Sequence, residues 1–217
     1  MKKELLVFDF DGTIADTLSV AVEISNELAP EFDFPKMNTE EFLELKGKKV
    51  AELMEMANMS WVKLPVFIKR VRDSFKKYLP QVEPVEGMPE VLLALKSEGF
   101  HMGILTSNTE ENVHHFLQQH QLEYFEFIHS PSSIFGKGRV LKTFSRKYKI
   151  PNRKVVMIGD ERRDIKAAHK AEVRSVGVTW GFGSADALQE HEPHHIVHQP
   201  KELFKLFTGK NLADVRG

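Results

Sequence analysis

Apolar positions along this chain follow two different rhythms, and the change between them divides it. Leu5 to Phe8 is a run of four apolar residues without alternation, the pattern of a strand buried on both faces of a parallel sheet. After Thr13 the spacing becomes helical. It predicts helices over Thr17–Leu28 with Thr17 as cap, from Glu40 to about Leu45 with Asn38 or Thr39 as cap, over Lys48–Asn58, and over Trp61–Tyr78. No strand pattern occurs between Asp16 and Leu79. Pro80, Pro84, Gly87 and Pro89 then punctuate the chain. Beyond them helices predicted over Pro89–Ser97, Glu110–His120, Gly138–Tyr148 and Arg163–Lys170 alternate with strands. Those strands are His101–Leu105, a short one near Phe127, Lys154–Ile158 and Arg174–Val178. Such alternation predicts an α/β fold, a Rossmann-like parallel sheet flanked by helices and joined by right-handed crossovers. The expected organisation is an α/β core from residues 1–15 and 81–208, an inserted all-helical cap over 16–80, and a flexible polar tail over 209–217.

Composition narrows the function more than the fold. With 41% apolar and 28% charged residues in 217, the chain reads as globular. A net charge of -1 gives no reason to expect nucleic acid or an anionic membrane as partner. There is no cysteine, which excludes disulfides, thiolate catalysis and cysteine-ligated zinc. Asp9 and Asp11 interrupt the first apolar run too early for a signal peptide, and no segment approaches membrane-spanning length. The expected location is the cytoplasm.

The chemistry gathers at strand ends, where open α/β sheets bind ligands. Leu5–Phe8 ends in Asp9-Phe10-Asp11-Gly12-Thr13. If the extended geometry persists through Phe10, both carboxylates share one face. Two such charges are costly unless a cation neutralises them or one binds a proton; the pair suggests a hard cation, and Mg²⁺ is the expected one. Gly12 permits a turn and Thr13 can tie it. Thr106-Ser107-Asn108, after the second strand, offers hydroxyl, amide and backbone N–H groups for phosphoryl oxygens; the same cluster serves equally as an N-cap for the next helix. Lys137 stands between Gly136 and Gly138 just before a helix. A third apolar run ends in Gly159-Asp160, with Asp164 one helical turn further on, where two carboxylates can converge on a cation or Asp164 can simply complement the helix N-terminus. Histidines cluster at His114, His115 and His120 and again at His191, His194, His195 and His198, without the carboxylate or cysteine spacing of a metal site.

These stretches, in this order, resemble the four motifs of the haloacid dehalogenase-like (HAD) hydrolases, and the helical segment 16–80 resembles the cap of the subgroup that includes phosphoglycolate phosphatase and β-phosphoglucomutase. The resemblance implies Asp9 as nucleophile, Asp11 as general acid/base, and Lys137 as the charge that offsets nucleophile and phosphoryl group. It implies Thr106, with Ser107, Asn108 and Lys137, as phosphate contacts, and Asp9, Asp11, Asp160 and Asp164 around Mg²⁺. Gly138 stands where the family often has proline. Leu45-Lys46-Gly47 resembles a cap loop, so Lys46, Gly47 and Lys48 are candidate specificity residues; with Lys49 they would favour a leaving group bearing its own negative charge. The expected activity is phosphomonoester hydrolysis on a small phosphorylated metabolite. A sugar phosphomutase is the alternative within the family. From another class, the alternative is a non-catalytic module that binds Mg²⁺ or phosphate, against which the helical insertion counts. The Val176–Gly181 run is assigned architecture and no chemistry.

Overall fold

The apolar runs that read as doubly buried strands become one six-stranded sheet in the computed structural model, which describes residues 4–131 and 136–215. Its strands are β1 (Leu5–Phe8), β4 (His101–Leu105), β5 (Ile128–His129), β6 (Val155–Gly159), β7 (Arg174–Val178) and β8 (His195–Val197), all parallel, in the order β5-β4-β1-β6-β7-β8. Side chains alternate along β1, so Leu6 and Phe8 enter the larger apolar layer while Leu5 and Val7 enter the layer behind the sheet. Helices α5 (Met88–Ser97), α6 (Glu110–Gln119), α7 (Lys137–Tyr148) and α8 (Arg162–Ala171) make the crossovers. The order reverses at β1, whose neighbours are β4 and β6. That places the crevice of a doubly wound sheet at the carboxyl end of β1. Register completes the arrangement: Phe8 pairs with Ile104 and with Ile158, so Asp9, Thr106 and Asp160 leave the sheet along the same edge.

Residues 17–82 carry four helices and no strand: α1 (Leu18–Phe32), α2 (Thr39–Glu44), α3 (Val50–Met56) and α4 (Leu64–Tyr78). The chain enters and leaves this segment through a two-stranded antiparallel ribbon, β2 (Ala15–Asp16) against β3 (Glu83–Pro84). α1 runs four residues beyond the expected Leu28, past Pro30, and stops where Asp33 turns left-handed. Packing explains the extension, since buried Phe32 meets Phe67 of α4 edge-on at 5.1 Å. Thr17 occupies the N-cap position of α1 but makes no side-chain cap bond. Asn38 does cap α2, in a reciprocal box with Glu41.

Beyond β7 the sequence pattern did not announce α9 (Ala185–Gln189), the edge strand β8 or α10 (Pro200–Thr208), whose Leu203 and Phe204 are fully buried, just as it did not announce the β2–β3 ribbon. Within the segment 209–217, expected to be a flexible tail, Leu212–Val215 form a 3₁₀ turn. Leu212 packs on the core, and Lys210 pairs with Glu98 at 2.6 Å. Residues 1–3, Phe135 of the lysine motif and residues 216–217 lie outside the described residues. No helix among the described residues is long and apolar enough to cross a membrane.

Candidate active site

β1 ends at Phe8, and the extended geometry assumed through Phe10 does not occur. Phe10 N–H donates to Asp9 Oδ1 at 2.7 Å, and the Phe10 carbonyl accepts from Thr13, Ile14 and Ala15, which closes a tight turn. Gly12 sits in that turn at φ 72°, where a Cβ would also meet Asp160 Oδ2 and the Phe182 ring. The turn, rather than the pleat, brings Asp11 back beside Asp9. The Thr13 backbone helps to close this turn but its hydroxyl does not; the hydroxyl donates across the sheet to Asp160 Oδ1 at 2.8 Å.

Asp9, Asp160 and Asp164 are buried, and each offers a carboxylate oxygen within 4.8 Å of the others. Asp11 is not in that group, although it was expected among the metal ligands. Its half-buried carboxylate accepts instead from Asn108 Nδ2 at 3.2 Å. Lys137, the first residue of α7 and only 2% exposed, reaches Asp9 Oδ2 at 2.6 Å and Asp164 Oδ1 at 2.7 Å. Burial alone would push its pKa down, but Asp164 and Asp9 more than reverse this and hold it charged. Gly138 packs against Ala167 of α8, so α7 starts at the lysine without the family's proline. Asp164 also accepts the Glu161 N–H at 3.2 Å, so it caps α8 and binds Lys137 together.

One lysine cannot neutralise three buried acids. Burial, then Glu161 and Asp9, push Asp160 well up; burial, with Asp9 among the charges, raises Asp164 as well. A buried, all-oxygen donor set with surplus negative charge suits a hard divalent cation such as Mg²⁺. Asp11 is pushed up to about 7, first by burial and then by the charge of Asp9, against a lowering contribution from Asn108. It is thereby poised to exchange a proton near neutral pH.

At the end of β4, Thr106 is fully buried and its hydroxyl accepts the Asn108 N–H at 2.9 Å. Thr109, not this cluster, caps α6, accepting from Asn112 N–H at 3.2 Å. Asn108 Oδ1 accepts the Thr109 N–H at 2.8 Å and Asn112 Nδ2 at 3.0 Å, which orients its Nδ2 toward Asp11. Half-buried Ser107 lines the crevice, 3.5 Å from the Arg163 guanidinium. The histidines form no ligand cluster among the described residues: His120 bonds the Val82 carbonyl, His194 bonds Ser175 and His198 bonds Thr179.

Sequence reasoning missed the loop after β7, which does more than architecture. Phe182 N–H donates to Asp160 Oδ2 at 2.7 Å, and Trp180 Nε1 donates to the Thr13 carbonyl at 3.1 Å. The same loop meets the helical segment. Lys46 Nζ donates to Thr179 O at 3.1 Å, Gly47 N–H to Phe182 O at 3.1 Å, and Arg162 to the Gly47 carbonyl. Lys49 lies outside, half-exposed beside Glu52. Between helices and sheet lies a cavity of ≈ 380 Å³ whose floor includes Asp11, Ser107 and Asn108 and whose walls include Lys46, Gly47 and Lys48. Arg72, Arg162 and Arg163 also line it, and none of them was anticipated. Glu161 pairs with Arg163, the only signal for which was an Arg-Arg pair inside the last motif.

A family model for haloacid dehalogenase-like hydrolases matches residues 6–178. The phosphoglycolate phosphatase of Synechococcus elongatus is 29% identical over 206 residues, covering 94% of this chain and 97% of that protein. That of Haemophilus influenzae is 26% identical over 228 residues, covering 94% and 97%. The crystal structure of a predicted phosphatase from Clostridium acetobutylicum superposes with a TM-score of 0.82 at 27% identity, covering 97% of this chain and all of that one. Fold, strand-end acids and a match over four-fifths of the length agree, and the chain belongs to the haloacid dehalogenase-like hydrolase family.

Proposed function

We propose that the chain is a Mg²⁺-dependent phosphatase that hydrolyses a small phosphomonoester through an aspartyl-phosphate on Asp9. The observation that carries this is the convergence of Asp9, Asp160 and Asp164 with Lys137 bridging two of them. Asp9, Asp160 and Asp164 would hold the cation, which when bound would offset charge on the phosphoryl group. Asp9 attacks phosphorus in line, and the P–O bond to the leaving alcohol breaks. Asp11, raised to about 7, carries the proton that the leaving oxygen takes up. Deprotonated, it then takes a proton from the water that cleaves the acyl phosphate. Lys137 stabilises the developing charge, and Thr106, Ser107 and Asn108 line the phosphoryl pocket. The segment 16–80 acts as a cap over this site, closed through its Leu45–Gly47 loop. Relatives named phosphoglycolate phosphatase support the reaction class.

The test is phosphate release from a panel of phosphomonoesters with Mg²⁺ and with a chelator. Hydrolysis in Mg²⁺ alone, lost by several orders of magnitude in a folded Asp9→Asn variant, is the expected result. Near-normal turnover by that variant, or turnover in chelator, would overturn the mechanism.

A further inference from the structure

The proposed chemistry uses the floor of the cavity and leaves most of its wall without a role. That wall is apolar: Ile24 of α1, Leu53 of α3 and Leu64, Phe67, Ile68 and Val71 of α4 face the space. Its ≈ 380 Å³ falls within the roughly 300–1,000 Å³ of sites that take drug-sized ligands. A two-carbon acid covers little of such a wall.

The charges along the wall are unbalanced. Lys46, Lys48, Arg72, Arg162 and Arg163 line the cavity against Asp11 and Glu161, five cations to two acids. Arg163 pairs with Glu161, whereas Lys46 bonds a neutral carbonyl, which supplies no counter-charge. Lys48, Arg72 and Arg162 have no acidic partner among the described residues. Lys137, the cation placed to serve the phosphoryl group, pairs with Asp9 and Asp164 and does not line this space. Uncompensated cations beside an apolar, low-dielectric wall attract an anion.

Resting on the phosphatase reading, we infer that the substrate is the phosphate ester of an apolar hydroxy acid. Its aryl-sized or branched body lies against α1, α3 and α4, and its carboxylate meets Lys48, Arg72 and Arg162. Water enters, the ester P–O bond breaks, and inorganic phosphate and the free hydroxy acid leave. The class of reaction that supplies this substrate is therefore phosphorylation of an apolar hydroxy acid.

Four esters separate the two features: ethyl phosphate, phosphoglycolate, 2-phenylethyl phosphate and the phosphate ester of 3-phenyllactate, each with Mg²⁺. The phenyllactate ester is expected to lead, with kcat/KM about 100-fold above phosphoglycolate and about tenfold above 2-phenylethyl phosphate. Ala21→Leu, which fills the cavity from α1, should lower kcat/KM for the two phenyl esters about tenfold more than for phosphoglycolate. Arg72→Met should penalise each carboxylate-bearing ester about tenfold more than its neutral partner. If ethyl phosphate or phosphoglycolate leads, or both variants leave these ratios unchanged, the inference is overturned while the phosphatase reading stands. Release of phosphate from none of the four overturns both.

Discussion

Lys137 shows how a single residue's meaning depends on its surroundings. As a sequence feature it is a lysine between glycines; folded, it is a buried ammonium 2.6 Å from Asp9 and 2.7 Å from Asp164. Removing one partner of a buried ion cluster costs about 3–5 kcal/mol, because charges are left uncompensated. Lys137→Ala should therefore lower kcat by about 10²-fold or more and also lower the unfolding free energy. Exposed Lys142, five residues along the same helix, should tolerate alanine within about 0.5 kcal/mol and keep its turnover. Steady-state kinetics and denaturant unfolding on both variants decide it, and equal effects would remove Lys137 from the chemistry. Thr13 teaches the same lesson: a hydroxyl expected to tie its own turn reaches a residue 147 positions away.

Among the elements, the Leu45–Gly47 loop makes the most consequential contact. Gly47 adopts φ 78°, and a Cβ there would lie 2.8 Å from Ser184 Oγ and 2.9 Å from the Ala187 Cβ. Its N–H and carbonyl both bind the sheet side of the molecule. Gly47→Val adds left-handed strain of roughly 1–2 kcal/mol to that clash, so the loop should part from Phe182. The expected outcome is a fall in kcat/KM of tenfold or more with the thermal midpoint shifted by only a few degrees. Unchanged kcat/KM would show that this loop does not help to close the site. Helix ends were the least legible part of these elements. α1 continues past Leu28 because Phe32 finds Phe67, a contact between segments that no local spacing announces.

At the scale of the molecule, the acids at the sheet edge set how stability depends on pH and cation. Asp160 and Asp164 have their pKa values raised by burial, Asp164 to about 7, so the folded state binds more protons than the unfolded chain. Without a divalent cation, the contribution of these acids to stability should be fully present below the unfolded carboxylate range and be lost as pH rises from about 4 through 7. Mg²⁺, bound to the ionised acids as proposed, should reverse that loss. At about 100 times its Kd it adds about 2.7 kcal/mol, roughly 5–10 °C in Tm for a chain of this length. Thermal melts at pH 5 and pH 8, with Mg²⁺ and with a chelator, measure both effects. A chelated protein more stable at pH 8 than at pH 5 would contradict the assignment of these acids.

The sequence by itself determined the fold class and the ends of the strands that carry chemistry. Doubly buried strands must be continuously apolar, and the polar residues that follow them must emerge at one edge of a parallel sheet. Asp9, Thr106 and Asp160 were legible for that reason, and Lys137 and Asp164 through motif order. Tertiary structure alone decided how these groups are arranged around one another. The turn at Phe10 set Asp11 against Asn108 and outside the group of three acids. The loop after β7 supplied the Phe182 N–H to Asp160 and the landing point for Gly47. The cavity was equally hidden, because Ile24, Val71 and Arg72 come from helices far apart in sequence and share a wall only after α1 packs on α4. Local periodicity reports which face of an element is apolar; which elements share a surface depends on long-range packing.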